Sequence, residues 1–283
     1  MTQIWSWIMR SYHLLRGVWD TASDRNVSLI SAGVAFFGMF SIFPAIAAVI
    51  AIFGLLADPA VVVEQLALMR DIIPADAYDI IAGQMDRLLT AGGEALGWAS
   101  AVSIGLALWA ARAGVAGLMG GLNEIAATPP RNGFKQIIVA LTLTICLVAL
   151  AITALLAVIV APIVLAFAPI TAGNAAILDG VRWVVAFLVL YSALSLLYRF
   201  GPNQRGARLR WFTVGAATVI VLWIGASFGL SYYLTNFASY NEVYGSIGAV
   251  IGMLLWLYIT AFLVLLGAAL NLHVHGKVSG EDG

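Results

Sequence analysis

The sequence predicts an all-α polytopic membrane protein with six transmembrane helices, an N-terminal interfacial helix and a periplasmic helical hairpin. Three observations carry this. Hydrophobic residues make up 62% of the chain and charged ones 10%, where ordinary soluble domains carry about 25% charged residues. Apolar runs recur at lengths that cross the roughly 30 Å hydrocarbon core as helices. Lysine and arginine gather in alternate connecting segments, as the positive-inside tendency requires.

Residues 1–27 are expected to form a cytoplasmic amphipathic helix. Ile4, Ile8, Tyr12, Leu15 and Trp19 fall on one face at helical spacing, with Ser6, Arg10, His13 and Asp20 opposite. Such a helix either lies along the headgroups with its tryptophans at the interface or packs on the protein's own loops. Arg10 and Arg16 interrupt the early apolar residues, so no signal-peptide core is expected.

The membrane domain, residues 28–271, divides into spans at about 28–56, 96–119, 137–168, 181–198, 211–234 and 246–271. In the first span Pro44 removes a helical hydrogen bond and crowds the Phe40 carbonyl, so a bend or hinge is expected there. Residues 57–97 carry seven acids and two arginines, with apolar Val62, Leu66, Met69 and Ile73 before Pro74 and Tyr78, Ile81, Met85 and Leu88 after it. That pattern predicts two short amphipathic helices outside the membrane, their acids on solvated faces.

The second span holds Arg112 inside an apolar helix, where a guanidinium is costly. It faces a polar cavity or snorkels to the headgroups. Ala113, Gly117 and Gly121 recur every four residues and leave a smooth face for another helix. Asn123 and Glu124 follow, with Glu124 a candidate partner in the same polar cluster. The third span is long, and Pro162 near its far end is a second expected bend or hinge.

The last third forms a transmembrane hairpin. It opens on Leu197-Tyr198-Arg199-Phe200-Gly201-Pro202-Asn203 and a basic patch of Arg199, Arg205, Arg208 and Arg210. Two apolar runs flank a polar turn containing Ser239, Tyr240, Asn241 and Tyr244 beside Gly245 and Gly248. Irregular backbone near membrane depth is tolerated where it is buried in protein or lines a cavity, so this turn and Arg112 are candidate cavity elements. A tight hairpin with interfacial tyrosines is the alternative. Residues 272–283 form a tail. Ten Lys/Arg lie in the segments assigned to one side, against Arg70 and Arg87 on the other, which places both termini in the cytoplasm.

The motif Leu-Tyr-Arg-Phe-x-Pro-Asn, the turn Asn-Phe-Ala-Ser-Tyr-Asn-x-x-Tyr-Gly-Ser-Ile-Gly-Ala-Val, and Leu-Leu-Trp-Leu-Tyr resemble the YihY/BrkB family of bacterial inner-membrane proteins. Trp109-x-x-Arg112 and Leu122-Asn123 resemble another motif of that family. The resemblance spans nearly the whole chain. It implies a multi-pass inner-membrane protein whose activity is poorly defined, in a family once labelled ribonuclease BN. Two departures stand out. Relatives often show tyrosines where this chain has Phe36 and Phe37, and an acidic residue where it has Ala269.

The residues themselves do not support a ribonuclease. His13, His273 and His275 are the histidines, and the last two sit together without a nearby third ligand. Cys146 lies alone in an apolar run, and no P-loop, nucleophile elbow or CxxC occurs. Zero net charge gives no basic field for nucleic acid. The expectation is therefore a non-catalytic protein with no cofactor and no metal. Membrane lipids are its expected partners, with a second copy or an envelope protein possible in addition. Its function is expected to be moving or binding a lipid, another amphiphile or an anionic solute, with an envelope scaffold as the alternative.

Overall fold

A computed structural model describes residues 2–56, 93–167, 172–204, 211–236 and 246–278. All regular structure among them is helical: α1 (Thr2–Asp24), α2 (Val27–Leu56), α3 (Gly93–Ile125), α4 (Gly133–Phe167), α5 (Ala172–Phe200), α6 (Val214–Asn236) and α7 (Ser246–Val278). Segments within α3 to α7 give five helices long and apolar enough to cross a membrane, and the α1–α2 pair, bent by 63°, brings the number to six when it is counted as one span. Of the acidic hairpin expected at 57–97, residues 57–92 lie outside the described residues, and 93–97 open α3 instead. The chain divides into two compact units, Phe37–Ala111 and a larger one made of Met1–Phe36 with Arg112–Gly283. The packing and contacts described below are those of the larger unit.

Most helices outrun the apolar runs that mark them. α5 begins at Ala172 and α7 continues to Val278, because helical hydrogen bonding carries on past the point where hydropathy falls. α6 is the exception and starts three residues later than the apolar run. Trp211, Phe212 and Thr213 stay outside it, since the backbone groups of Trp211 and Thr213 are bonded to α5. α2 and α4 each continue through their prolines, Pro44 and Pro162.

The core collects at one end of the unit, where Val18, Val27, Leu122, Ile125, Leu197, Tyr198 and Leu265 pack together. Away from it the helices show apolar outer faces, among them Ile152, Leu188, Val221 and Phe228. In lipid such faces need no protein cover. The smooth face of α3 is used as expected. A side chain at Gly117 would press on Val34 of α2, and one at Gly121 on Leu265 of α7 and Ile30 of α2.

α1 docks on α7, but by the face opposite its aromatic one. Val18 and Ala22 are buried and Leu14 packs on the core, while a Cβ at Gly17 would meet the His273 ring. Thr21 Oγ1 lies 2.9 Å from His273 Nε2. Trp5, Tyr12, Leu15 and Trp19 face away from the protein, more than half exposed. The expected packing on the protein is thus made by the small-residue face, and the aromatic face is left uncovered.

Candidate functional site

The polar side chains of the larger unit concentrate at the end where its core lies. The α3–α4 connection, the α5–α6 connection, the α1–α2 corner and the end of α7 all meet there. α3 ends in a Schellman turn. Thr128 N donates to Asn123 O (2.9 Å) and Ala127 N to Glu124 O (3.2 Å), with Ala127 at φ 49°. Pro129 and Pro130 follow and prevent the helix from continuing.

Asn123 is buried on the last turn of α3. Its Oδ1 accepts from Asn203 N (2.7 Å) and Thr128 Oγ1 (3.1 Å), tying the α3–α4 loop to the end of α5. Asn203 Nδ2 completes the tie by donating to the Pro129 carbonyl at 2.9 Å. Arg131 clamps the same junction. Its Nη1 donates to Gly201 O (2.6 Å) and its Nη2 to Phe200 O (2.9 Å) and Pro202 O (2.7 Å). A cation on the exposed carbonyls of a helix C-terminus is favoured by both charge and hydrogen bonding. Gly201 fits because a Cβ there would strike the Leu197 carbonyl and Leu122.

One stripe of α5 then fixes the start of α6. Tyr191 OH accepts from Thr213 N (2.8 Å) and donates to Thr213 O (3.2 Å), and Ser195 Oγ donates to Trp211 O (2.8 Å). Arg199 lies 4.9 Å from the Trp211 ring centroid, a cation–π distance. Thr213 itself caps α6 through Ala216 N. On the neighbouring face Tyr198 is fully buried and donates to Val264 O of α7 at 2.8 Å. The α6–α7 hairpin closes on Gly215 and Gly267: a Cβ on Gly215 would strike the Gly267 carbonyl, and one on Gly267 would strike Val219 and the Tyr198 hydroxyl. Asn271, wholly buried, accepts from Gly215 N at 2.8 Å.

The candidates singled out from sequence fall into three groups. Asn123 and Arg199 sit at this junction. Arg112 does not: along the continuous helix it lies roughly 20 Å from Ile125. It is half-buried, with Nε shut off from solvent. Ser239, Tyr240, Asn241, Tyr244, Arg205, Arg208 and Arg210 lie outside the described residues. Glu124 requires correction as a partner of Arg112. The two are separated by roughly 18 Å of helix, and Glu124 is exposed and 3.9 Å from Arg25. Ala269, where relatives tend to carry an acid, is buried in the core.

Tyr198 and Asn203 are carried by the Leu-Tyr-Arg-Phe-x-Pro-Asn motif that contributes most to the resemblance. Their roles as ties were not visible from it. Arg131, Thr21 and Asn271 had no signal of their own beyond being polar residues beside apolar runs.

Residues 18–282 match the family described as Virulence factor BrkB. The chain belongs to the BrkB family. This BrkB-family protein is 30% identical over 263 residues to a ribonuclease-like protein, YfkH, of Bacillus subtilis, a match covering 89% of this chain and 92% of that one. It is 38% identical over 82 residues to a UPF0761 membrane protein of Xanthomonas campestris pv. campestris, covering 29% of this chain and 19% of the relative. A UPF0761 membrane protein of Xanthomonas axonopodis pv. citri shows the same identity and coverage. No solved structure matches the chain.

Proposed function

We propose that this BrkB-family protein binds and moves a lipid, or another amphiphile with an anionic head, across the bacterial inner membrane. Both termini face the cytoplasm in this reading, and the protein is not an enzyme. The observation that carries it is the depth of Arg112. A snorkelling arginine must reach the headgroups, yet about 20 Å of helix separates Arg112 from the polar end of the bundle. A guanidinium kept at that depth is costly in lipid and is well matched to an anionic head, which its planar donors bind in pairs. The prolines that α2 and α4 carry within their helices supply candidate hinge points at Pro44 and Pro162.

Removing Arg112 tests this. Arg112→Ala should leave membrane-inserted protein near the wild-type amount, since it takes a costly group out of an apolar helix. It should abolish head-group translocation in reconstituted vesicles containing fluorescent phosphatidic acid and phosphatidylethanolamine. Arg112→Lys should recover only part of the rate, because a point charge lacks the fork. Full translocation by Arg112→Ala, or none by wild-type protein, would overturn the reading. A scaffold role is the second reading, supported by the uncovered aromatic face of α1.

A further inference from the structure

We infer that the groove between the α3–α4 connection and the end of α5 is a binding site for the phosphate head of an anionic amphiphile. The groove holds about 360 Å³. Arg131, Lys135, Asn132 and Asn203 supply its polar lining, and Ile138 and Val139 its apolar wall. The lining contains two cations and no carboxylate.

Two of these residues are held rigid and two are available. Arg131 is fixed by the carbonyls of Phe200, Gly201 and Pro202, and Asn203 by Asn123 and Pro129. Their positions are set before any ligand arrives, which lowers the ordering cost of binding. Lys135 is exposed, and among the described residues neither its ammonium nor the Asn132 carboxamide is bonded to the protein. Both can donate to an incoming oxyanion while the Arg131 charge lies beside them. The opening turn of α4 adds its partial positive charge in the same place.

The apolar wall selects an amphiphile over a free anion. The strongly apolar span of α4 begins at Gly133, so Lys135 sits within its first turn, at headgroup level. Ile138, three residues on and on the groove side of the helix, is exposed where an acyl chain attached to the phosphate would run. Phosphate and tail are thus met in the order in which a lipid presents them.

This site names the ligand class for the translocation reading, but binding here does not require movement. The two therefore fail separately. The test uses full-length protein in dodecyl maltoside micelles, with binding measured by microscale thermophoresis. The probes are dioctanoyl phosphatidic acid, dioctanoyl phosphatidylcholine and inorganic phosphate. Wild-type protein should bind the phosphatidic acid more tightly than either of the others. Lys135→Ala should weaken that binding by about tenfold, the loss of one charge-assisted hydrogen bond. Lys135→Glu should abolish it, while Arg16→Ala on exposed α1 should leave it unchanged. Inorganic phosphate binding as tightly as phosphatidic acid with the same dependence on Lys135 would make this a free-anion site and overturn the amphiphile assignment. Equal affinity for phosphatidylcholine, or no effect of Lys135→Ala and Lys135→Glu, would overturn the site itself.

Discussion

At the residue scale, the junction is built from backbone groups that apolar surroundings would otherwise leave without partners. Asn123, Asn203, Arg131, Tyr191 and Ser195 each bond main-chain atoms of an irregular segment. Such groups are expensive to bury unpaired, so these side chains fix where the chain can turn. One position works against its own chemistry. Ala127 occupies the left-handed C′ position of a Schellman turn, where a Cβ crowds the following carbonyl and glycine is the usual residue. Ala127→Gly should therefore stabilise the protein by about 1 kcal/mol, seen as a higher melting temperature in detergent. Ala127→Val, with a β-branched side chain, should lower it. An Ala127→Gly protein that melts at or below the wild-type temperature would show that the turn carries no such strain.

At the element scale, α2 to α7 were legible from their apolar runs, because in a membrane the run and the helix answer the same constraint of backbone satisfaction, and α1 was legible from its amphipathic spacing. Which face meets which neighbour was legible only in part. The small-residue row of α3 pointed correctly to close packing, since Gly117 and Gly121 have no other obvious use. α1 shows the opposite case. Its most apolar face is the aromatic one, yet the docked face is made of small and polar residues, Gly17, Thr21 and Ala22 with Val18. Ranking faces by hydrophobicity favours the side that is left uncovered, whereas close approach to α7 needs small side chains. Glu124 was linked to Arg112 by nearness in sequence, but the helical rise carries it to another level. The clamp by Arg131 depends on groups seventy positions away, and no local pattern encodes that register. The aromatic face leads to a direct test. In a Cys146→Ser background, a spin label at Tyr12→Cys should show high collision rates with oxygen and low rates with a water-soluble nickel complex in lipid vesicles. A label at Asp20→Cys should show the reverse. If the label at position 12 is screened from both reagents, the face packs on a second copy or another protein rather than on lipid.

At the scale of the whole molecule, the ties at one end constrain the topology more tightly than charge counting does. Arg25 faces Glu124, Asn123 bonds Asn203, Arg131 holds 200–202, and Thr21 meets His273. The α1–α2 corner, two inter-helix connections and the end of α7 must therefore share one side of the membrane, whichever side it is. An even number of crossings between consecutive members of that group is the only arrangement that permits this. The Lys/Arg excess in those segments makes the cytoplasm the expected side, which labelling tests. Single cysteines at Ser23, Ala126 and Gln204, in the Cys146→Ser background, should resist a membrane-impermeant maleimide in intact spheroplasts and react after permeabilisation. A cysteine at Ala91 should react in both. Reversal of all four together would leave the fold intact and invert the orientation, moving the Lys135 groove to the outer surface. Disagreement among Ser23, Ala126 and Gln204 would be more serious, because no membrane protein can hold the Asn123–Asn203 bond and the Arg25–Glu124 pair across a bilayer.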